Sequence, residues 1–322
     1  MSSVVVPGNA ESRFSPVLVG LLAGAASAIL FAGKGVLVRL AFRAGGDATT
    51  LLGLRMAYCL PVFALVAWAC ARGPGPLARR DRLGLLALGV VGYHLSPWLD
   101  FRGLEHIDAA LERVVLYLYP TIIVGVAVFR GKRTVDVRLV AALALTYGGI
   151  LLTWGDRIHL GGDSGMITTG VLLVSASAVV YACYIIVVEG IITRVGGIRA
   201  MAVSMLGAGM SALVHAVVMD TPGLLRQNGT VHALALTIAL VGTVAPALLM
   251  GLAIQKLDAA RVSVVGMLGP VATALGAWAV LGEALGVAGW LGLVLTTVGA
   301  FAVGPAKAPS GSPRIHGNLR SS

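Results

Sequence analysis

A repeat at a spacing of 150 residues constrains this chain more than any other feature of its sequence. Shifting Leu104–Gly149 so that Asp108 falls on Asp258 (258 − 108 = 150) also places Pro120 on Pro270, Thr146 on Thr296 and Gly149 on Gly299 without a gap. Ala109, Ala110, Val114, Val115, Leu118, Leu143 and Leu145 meet identical residues in the same register. Small apolar residues coincide often by chance, so the weight rests on the ungapped register and on the Asp, Pro, Thr and Gly pairs. A chain that repeats itself over this distance is built as two halves of similar design.

The medium of that fold follows from what surrounds the repeat. Of 322 residues, 57% are hydrophobic and only 12% charged, with a mean hydropathy of +0.91. A water-soluble domain carries about 25% charged residues, so the chain reads as an integral membrane protein. Apolar runs occupy roughly 16–41, 49–71, 83–103, 109–129, 137–154, 166–191, 200–219, 231–253, 262–280 and 286–303. Each approximates the ~17 to 25 residues that a helix needs to cross the hydrocarbon core. The expected fold is therefore all-α, with ten transmembrane helices arranged as two five-helix repeats. The expected divisions are a polar N-terminal tail at 1–15 with no signal peptide, a first repeat at 16–154, a linker at 155–165, a second repeat at 166–304 and a disordered basic tail at 305–322.

Charge between the runs orients them. With the N-terminus cytoplasmic, sixteen Lys and Arg fall in inside segments, and five (Arg39, Arg43, Arg102, Arg157 and Arg226) fall outside. That asymmetry follows the positive-inside rule and places both ends in the cytoplasm of a cell with the protein in its inner membrane. An odd number of spans per half inverts the second half relative to the first. The same clustering makes the formal charge of +10 a topology signal and excludes nucleic acid as a partner. Cys59, Cys70 and Cys183 sit in apolar runs without metal-ligand or disulfide spacing and read as small core residues. There is no nucleophile elbow, zinc-protease motif, phosphate loop or dinucleotide fingerprint, which leaves hydrolases, ATPases and dehydrogenases without their minimum parts. No enzyme activity, cofactor or metal is expected, and any transport must run on an existing gradient.

Charged side chains inside apolar runs are the strongest residue-level signal. Each costs about 2.5 to 3.5 kcal/mol at the centre of a span on insertion scales, so those retained face a cavity or a partner. Lys34, Arg55, Glu112 and Arg113 are such residues, with Asp100 and Glu189 nearer span ends. Lys34 reads as cavity-lining or snorkelling, and Glu112 and Arg113 as either a cavity pair or an interfacial pair reaching for headgroups. Tyr93, His94, Trp98, Tyr117 and Tyr119 fall nearby in the third and fourth spans. Arg113, Tyr117 and Pro120 stand at i, i+4 and i+7, one face of a continuous helix. Trp98 belongs either to that cavity wall or to an interfacial belt. His94 and His215 read as hydrogen-bonded core residues. Gly20-x-x-x-Gly24 and Gly282-x-x-x-Gly286 match helix-packing spacing, and Pro120 and Pro270, kept in both copies, are the candidate hinges.

The five-plus-five layout resembles the drug/metabolite transporter superfamily, in particular its EamA-type members, from about Pro16 to Val303. The resemblance is carried by Gly103-Leu104-Glu105-His106-Ile107-Asp108-Ala109-Ala110 running to Pro120, and by Ala253-Ile254-Gln255-Lys256-Leu257-Asp258-Ala259-Ala260 running to Pro270 and Gly282-Glu283. Arg55 is similar to a second-span arginine common in that family, and Arg39 stands where many members carry lysine. The sequence departs from the pattern at Phe31-Ala32, at Arg133, which aligns with Glu283, and at the polar pair Glu112-Arg113. The resemblance implies a secondary transporter working by alternating access within the lipid bilayer. The excess of Lys34, Arg55 and Arg113 over Glu112 and Asp100 points to small polar metabolites such as amino acids or related anionic or zwitterionic solutes, with a coupling proton at Glu112 or Asp100. A quaternary-ammonium or multidrug exporter of the same superfamily and a non-transporting scaffold are the alternatives. The sequence leaves substrate, direction and oligomeric state open.

Overall fold

The computed structural model describes residues 15–72, 75–257 and 268–303, and every regular element in them is helical. The helices are α1 (Pro16–Arg43), α2 (Ala48–Ala71), α3 (Arg79–Gly89), α4 (Ser96–Leu104), α5 (Ala109–Leu116), α6 (Leu118–Phe129), α7 (Val137–His159), α8 (Ser164–Val195), α9 (Gly197–Arg226), α10 (Gly229–Ala239), α11 (Ala245–Lys256), α12 (Leu268–Gly276) and α13 (Val287–Val303). Wider π-helical turns at Val90–Leu95 and Leu240–Val244 join α3 to α4 and α10 to α11, and a third at Ala277–Leu281 extends α12. Helix starts are set by side-chain acceptors for otherwise unpaired N–H groups. Asp47 accepts from Thr49 and Thr50, Asp108 from Ala110 and Leu111, Asp136 from Leu139, Asp163 from Met166, and Asn228 from Val231.

Seven helical stretches are long and apolar enough to cross a membrane: Pro16–Arg43, Ala48–Ala71, Ala109–Phe129, Val137–His159, Ser164–Val195, Gly197–Met219 and Gly229–Ala253. Leu268–Leu281 and Val287–Ala302 are apolar but shorter. The chain is a multi-pass membrane protein. Its exterior agrees with that setting, since Leu22, Trp68, Leu172, Val218 and Trp278 are exposed, a face suited to lipid rather than water.

The 150-residue repeat is visible in the elements themselves. The starts of α3 and α10 (79, 229), of the first two π turns (90, 240), of α6 and α12 (118, 268) and of α7 and α13 (137, 287) are each 150 apart. Packing repeats as well. The contact of α1 with α11 has its counterpart in that of α8 with α4, and α3 with α9 in α10 with α2. At the first of these pairs Ser27 Oγ donates to the Pro246 carbonyl at 2.8 Å, and Ser177 Oγ donates to the Ser96 carbonyl at 2.8 Å. Each partner of the second bond lies 150 residues from its counterpart in the first.

Two repeat mates, α7 and α13, cross through a seam of glycine and threonine. Thr296 Oγ1 donates to the Thr146 carbonyl at 3.3 Å. A methyl group placed on Gly149 would overlap Thr296, one on Gly299 would overlap Thr146, and one on Gly292 would overlap Thr153. Residue numbers rise along one helix as they fall along the other, so the mates run antiparallel. Absent side chains let the backbones approach, and dispersion and hydroxyl–carbonyl bonds hold the seam where no water is present to drive apolar association.

Several expectations require correction. Gly282 lies in a left-handed turn, φ +70°, between the third π turn and α13, so Gly282-x-x-x-Gly286 is a connection and not a helix-packing motif. Gly20 does pack closely, against Leu257 and Lys256. Of the three cysteines only Cys59 is a core residue; Cys70 is half-buried and Cys183 exposed on α8. The fourth apolar run is not one helix, because it breaks at Tyr117, where ψ is 0°. Pro120 three residues later has no N–H, and its ring crowds the carbonyl of Leu116. The single face drawn through Arg113, Tyr117 and Pro120 is therefore interrupted. The second copy of the motif around Asp258 and both chain tails lie outside the described residues.

Candidate functional site

The charged residues of the first half converge. Lys34 comes from α1, Arg55 from α2, Asp100 from α4, and Glu112 and Arg113 from α5, and none is more than 7% exposed. Lys34 Nζ donates to Asp100 Oδ2 at 3.0 Å. Arg113 Nη2 donates to the Phe31 carbonyl at 3.3 Å, and its Nε stands 4.0 Å from Glu112 Oε2. That distance is an ion contact without a hydrogen bond. Two phenylalanine rings floor the cluster. Lys34 lies 5.4 Å from the Phe31 centroid and 5.6 Å from that of Phe101, Arg113 5.2 Å from Phe31, and Arg55 5.2 Å from Phe101. All are within the range at which ring quadrupoles attract cations.

The second half closes over this cluster. A methyl on Gly242, in the second π turn, would lie 3.5 Å from the Lys34 Cβ, and Thr273 Oγ1 of α12 donates to the Ala32 carbonyl at 3.0 Å. The cluster therefore occupies the junction of the two halves. Glu112 is fully buried and Arg113 is 7% exposed, and Asp100, placed near a span end from sequence, is buried and paired with Lys34. Among the described residues Arg55 makes no ion pair, and its Nε has no hydrogen-bond partner. Three cations thus face two carboxylates.

Other expected residues take structural places around the junction. Trp98 is half-buried, donates its Nε1–H to Thr49 Oγ1 at 3.0 Å and packs on the core of α1 and α2. Tyr117 is half-buried at the α5–α6 break, and Pro270 is buried on α12. The tyrosines that accompany the charges form a chain, with Tyr119 against Tyr181 at 5.3 Å, Tyr181 against Tyr184 at 5.9 Å and Tyr184 against Tyr93 at 5.1 Å. Tyr181 and Tyr184 stand 150 residues after Phe31 and Lys34, so at the second of these positions the repeat carries a phenol where the first half carries an ammonium. His94 and His215 are bonded to each other, Nε2 to Nδ1 at 3.0 Å, with His94 Nδ1 on Ser211 Oγ at 2.8 Å.

A second ionic assembly lies at one end of the bundle. Glu283 Oε1 accepts from Arg39 Nε at 3.1 Å and stands 3.7 Å from Arg43 Nη2, while Oε2 accepts the Ala109 N–H at 3.2 Å. Arg39 also reaches the Leu104 carbonyl at 3.0 Å, and Arg43 reaches that of Leu281 at 2.8 Å. Beside them Arg157 pairs with Asp108 at 2.6 Å and donates to the Ala284 carbonyl at 2.8 Å, and Asp156 accepts from Gly286 N–H at 2.9 Å. At the far end of the α3–α4 rod, Arg194 donates to Asp81 at 2.7 Å and Arg199 to the Gly75 carbonyl at 3.1 Å. From sequence, Glu283 is the end of a motif and the repeat partner of Arg133, Arg157 is a topology charge, and Arg39 is both a topology charge and the residue that stands where many family members carry lysine; their pairing is long-range and leaves no local signal.

Comparison with known proteins decides the class. The profile of the EamA-like transporter family matches residues 18–155 and again 168–304. The chain belongs to the EamA-like transporter family. It is a membrane transporter and not an enzyme. The Bacillus subtilis (strain 168) protein called uncharacterized transporter YcbK is 28% identical over 284 residues, 86% of this chain and 90% of that relative. A solved crystal structure overlays on 90% of this chain and 96% of its own at a TM-score of 0.59 with 19% identity, a likeness of fold alone. The EamA-like chain thus carries two family units whose junction holds the charged cluster.

Proposed function

We propose that this EamA-like protein is a secondary active transporter of small polar solutes that carry a carboxylate, such as amino acids or related anionic and zwitterionic metabolites, and that Arg55 receives the carboxylate. The observation that carries this reading is a buried guanidinium that makes no ion pair with any described residue, in a cluster of three cations and two carboxylates. A charge taken out of water at such cost is stabilised by an opposite one, and a solute carboxylate supplies it. A permanent cation meets like charge at the same place, which disfavours quaternary ammonium compounds. A coupling proton at Glu112 or Asp100 belongs to the same reading.

The mechanism we favour is alternating access of two inverted five-helix halves, 16–154 and 166–304, joined by 155–165. Its ten spans are the seven long apolar stretches, Leu268–Leu281, Val287–Ala302 and the rod Arg79–Leu104. Antiparallel packing of the repeat mates α7 and α13 supports inversion, because mates related by an axis along the membrane normal run parallel. Sidedness agrees: with Pro16 and Val303 at the cytoplasmic face of the inner membrane, Asp108, Arg157 and Glu283 fall outside and Asp81, Arg194 and Arg199 inside. The Glu283 assembly then acts as an outer closure, and Pro120 and Pro270 as hinges.

The test is a thermal-shift screen of purified protein against amino acids, organic acids, nucleosides and quaternary ammonium compounds, since a bound ligand stabilises the native state by RT ln(1 + [L]/Kd). A shift with carboxylate-bearing solutes that disappears in Arg55→Met supports the reading. A shift confined to quaternary ammonium compounds, with Arg55→Met unaffected, transfers the site to the tyrosine chain and the function to multidrug export.

A further inference from the structure

The two buried carboxylates leave an unresolved account of hydrogen bonds. Asp100 is satisfied on one side only, since Oδ2 accepts from Lys34 while Oδ1 accepts no hydrogen bond from any described residue. Glu112 is fully buried, and neither of its oxygens accepts a hydrogen bond from a described residue. Its place is fixed by packing, because a methyl on Gly35, next in the chain to Lys34, would sit 3.3 Å from Glu112 Oε2. Lys34, which holds Asp100 Oδ2 at 3.0 Å, is thus next in the chain to the residue on which Glu112 packs; Asp100, Lys34 of α1 and Arg113 of α5 are the charged groups in electrostatic reach of Glu112, and Arg55 of α2 is in reach of Asp100. Two buried like charges within electrostatic reach of each other disfavour their joint ionisation, and an ionised carboxylate without a hydrogen bond is among the least tolerated buried groups.

We propose that Asp100 and Glu112 bind one proton between them, the Glu112 carboxyl donating to Asp100 Oδ1 while Lys34 holds Asp100 Oδ2, so that this cluster is a single-proton site. One proton gives Asp100 Oδ1 a donor and one of the two Glu112 oxygens a partner at once. It converts the cluster from three cations against two negative charges into three against one, beside the unpaired Arg55. The inference deepens the transport reading by naming one pair as the coupling site, but the chemistry of the pair does not depend on any solute.

Infrared difference spectroscopy of the purified full-length protein in H₂O and D₂O tests it. At neutral pH the wild type gives one deuterium-sensitive C=O stretch of a protonated carboxyl. Asp100→Asn and Glu112→Gln each abolish it, because the remaining carboxylate then pairs with Lys34 and ionises, whereas Asp100→Glu, which keeps both carboxyls, retains a shifted band. Absence of the band in the wild type overturns the proposal without any variant being needed. Persistence of the band in Asp100→Asn overturns it in favour of an independently protonated Glu112, and persistence in Glu112→Gln does so in favour of Asp100. A failed solute screen with the band present sinks the carboxylate-transport reading and leaves the proton site standing, so the two failures are distinguishable.

Discussion

Ser27 donates its hydroxyl to the carbonyl of Pro246 at 2.8 Å, joining α1 of the first half to α11 of the second. The same bond recurs between Ser177 and Ser96 at 2.8 Å, both partners displaced by 150 residues. Each serine ties one half to the other at a carbonyl next to or within an X-Pro step that begins the helix beyond a π turn. Interhelical hydrogen bonds in membranes average about 0.6 kcal/mol. Ser27→Ala and Ser177→Ala are therefore expected to lower stability by about 0.6 to 1.5 kcal/mol each and by similar amounts. Urea or SDS titration of the purified variants measures this; a neutral Ser27→Ala beside a damaging Ser177→Ala removes the energetic equivalence of the halves.

The seam between α7 and α13 makes a sharper prediction. Gly149→Ala places a methyl against Thr296 and Gly299→Ala one against Thr146, whereas the methyl of Gly155→Ala, on the same α7, meets nothing within 4 Å. Overpacking of this kind costs about 1 to 3 kcal/mol. Both seam variants are expected to melt earlier than wild type, and Gly155→Ala to match or exceed it through the helix preference of alanine. Size-exclusion chromatography after heating distinguishes the three.

How much of this was legible in the sequence depends on the range of the interaction. The repeat announced the symmetric elements because backbone design recurs at a fixed offset. Lys34, Arg55, Asp100, Glu112 and Arg113 stood out because charge inside an apolar run is costly wherever it points. Their partners did not: Lys34 and Asp100 are 66 residues apart, Arg39 and Glu283 244 apart, and His94 and His215 121 apart. Phe101 carries no signal at all, since phenylalanine is an ordinary residue of a membrane span, and Phe31 stood out only as a departure from the family pattern, which does not tell that its ring faces cations. The break at Tyr117 was hidden for a different reason, as the apolar run continues through it.

Sidedness can be read by labelling. In a background with Cys59, Cys70 and Cys183 replaced, single cysteines at Gly45 and Gly161 are expected to react with a membrane-impermeant maleimide in intact cells. Cysteines at Gly75, Gly131 and Gly196 are expected to react only after permeabilisation. All five glycines lie in turns with positive φ and open space around them, so reactivity reports location more than packing. Labelling of Gly161 and Gly131 variants from the same side eliminates the ten-span arrangement.

The outer ionic assembly is expected to hold that end of the bundle shut. Glu283→Ala strips Arg39 of its carboxylate and leaves the Ala109 N–H without its acceptor, at a cost of about 1 to 3 kcal/mol; Glu283→Gln keeps the N–H acceptor and loses only the ion pairs. Hydrogen exchange at the start of α5 should therefore accelerate strongly in Glu283→Ala and weakly in Glu283→Gln. Equal exchange in both variants and wild type assigns closure to packing instead.

Proton and solute should reinforce each other. With the proton on the Asp100–Glu112 pair the cluster carries one more net positive charge beside Arg55, so an anionic ligand binds better to the protonated form. By linkage the ligand then raises the affinity for the proton by the same factor. The expected sign is tighter binding of a carboxylate solute as pH falls, by up to about tenfold per pH unit while one proton is taken up with it. Glu112→Gln fixes the charge of that position at zero, so its affinity should lose this pH dependence, and flux driven by a proton gradient should vanish while solute counterflow continues. Binding that weakens on acidification reverses the coupling to exchange of proton against solute, and a slope retained in Glu112→Gln moves the coupling proton elsewhere.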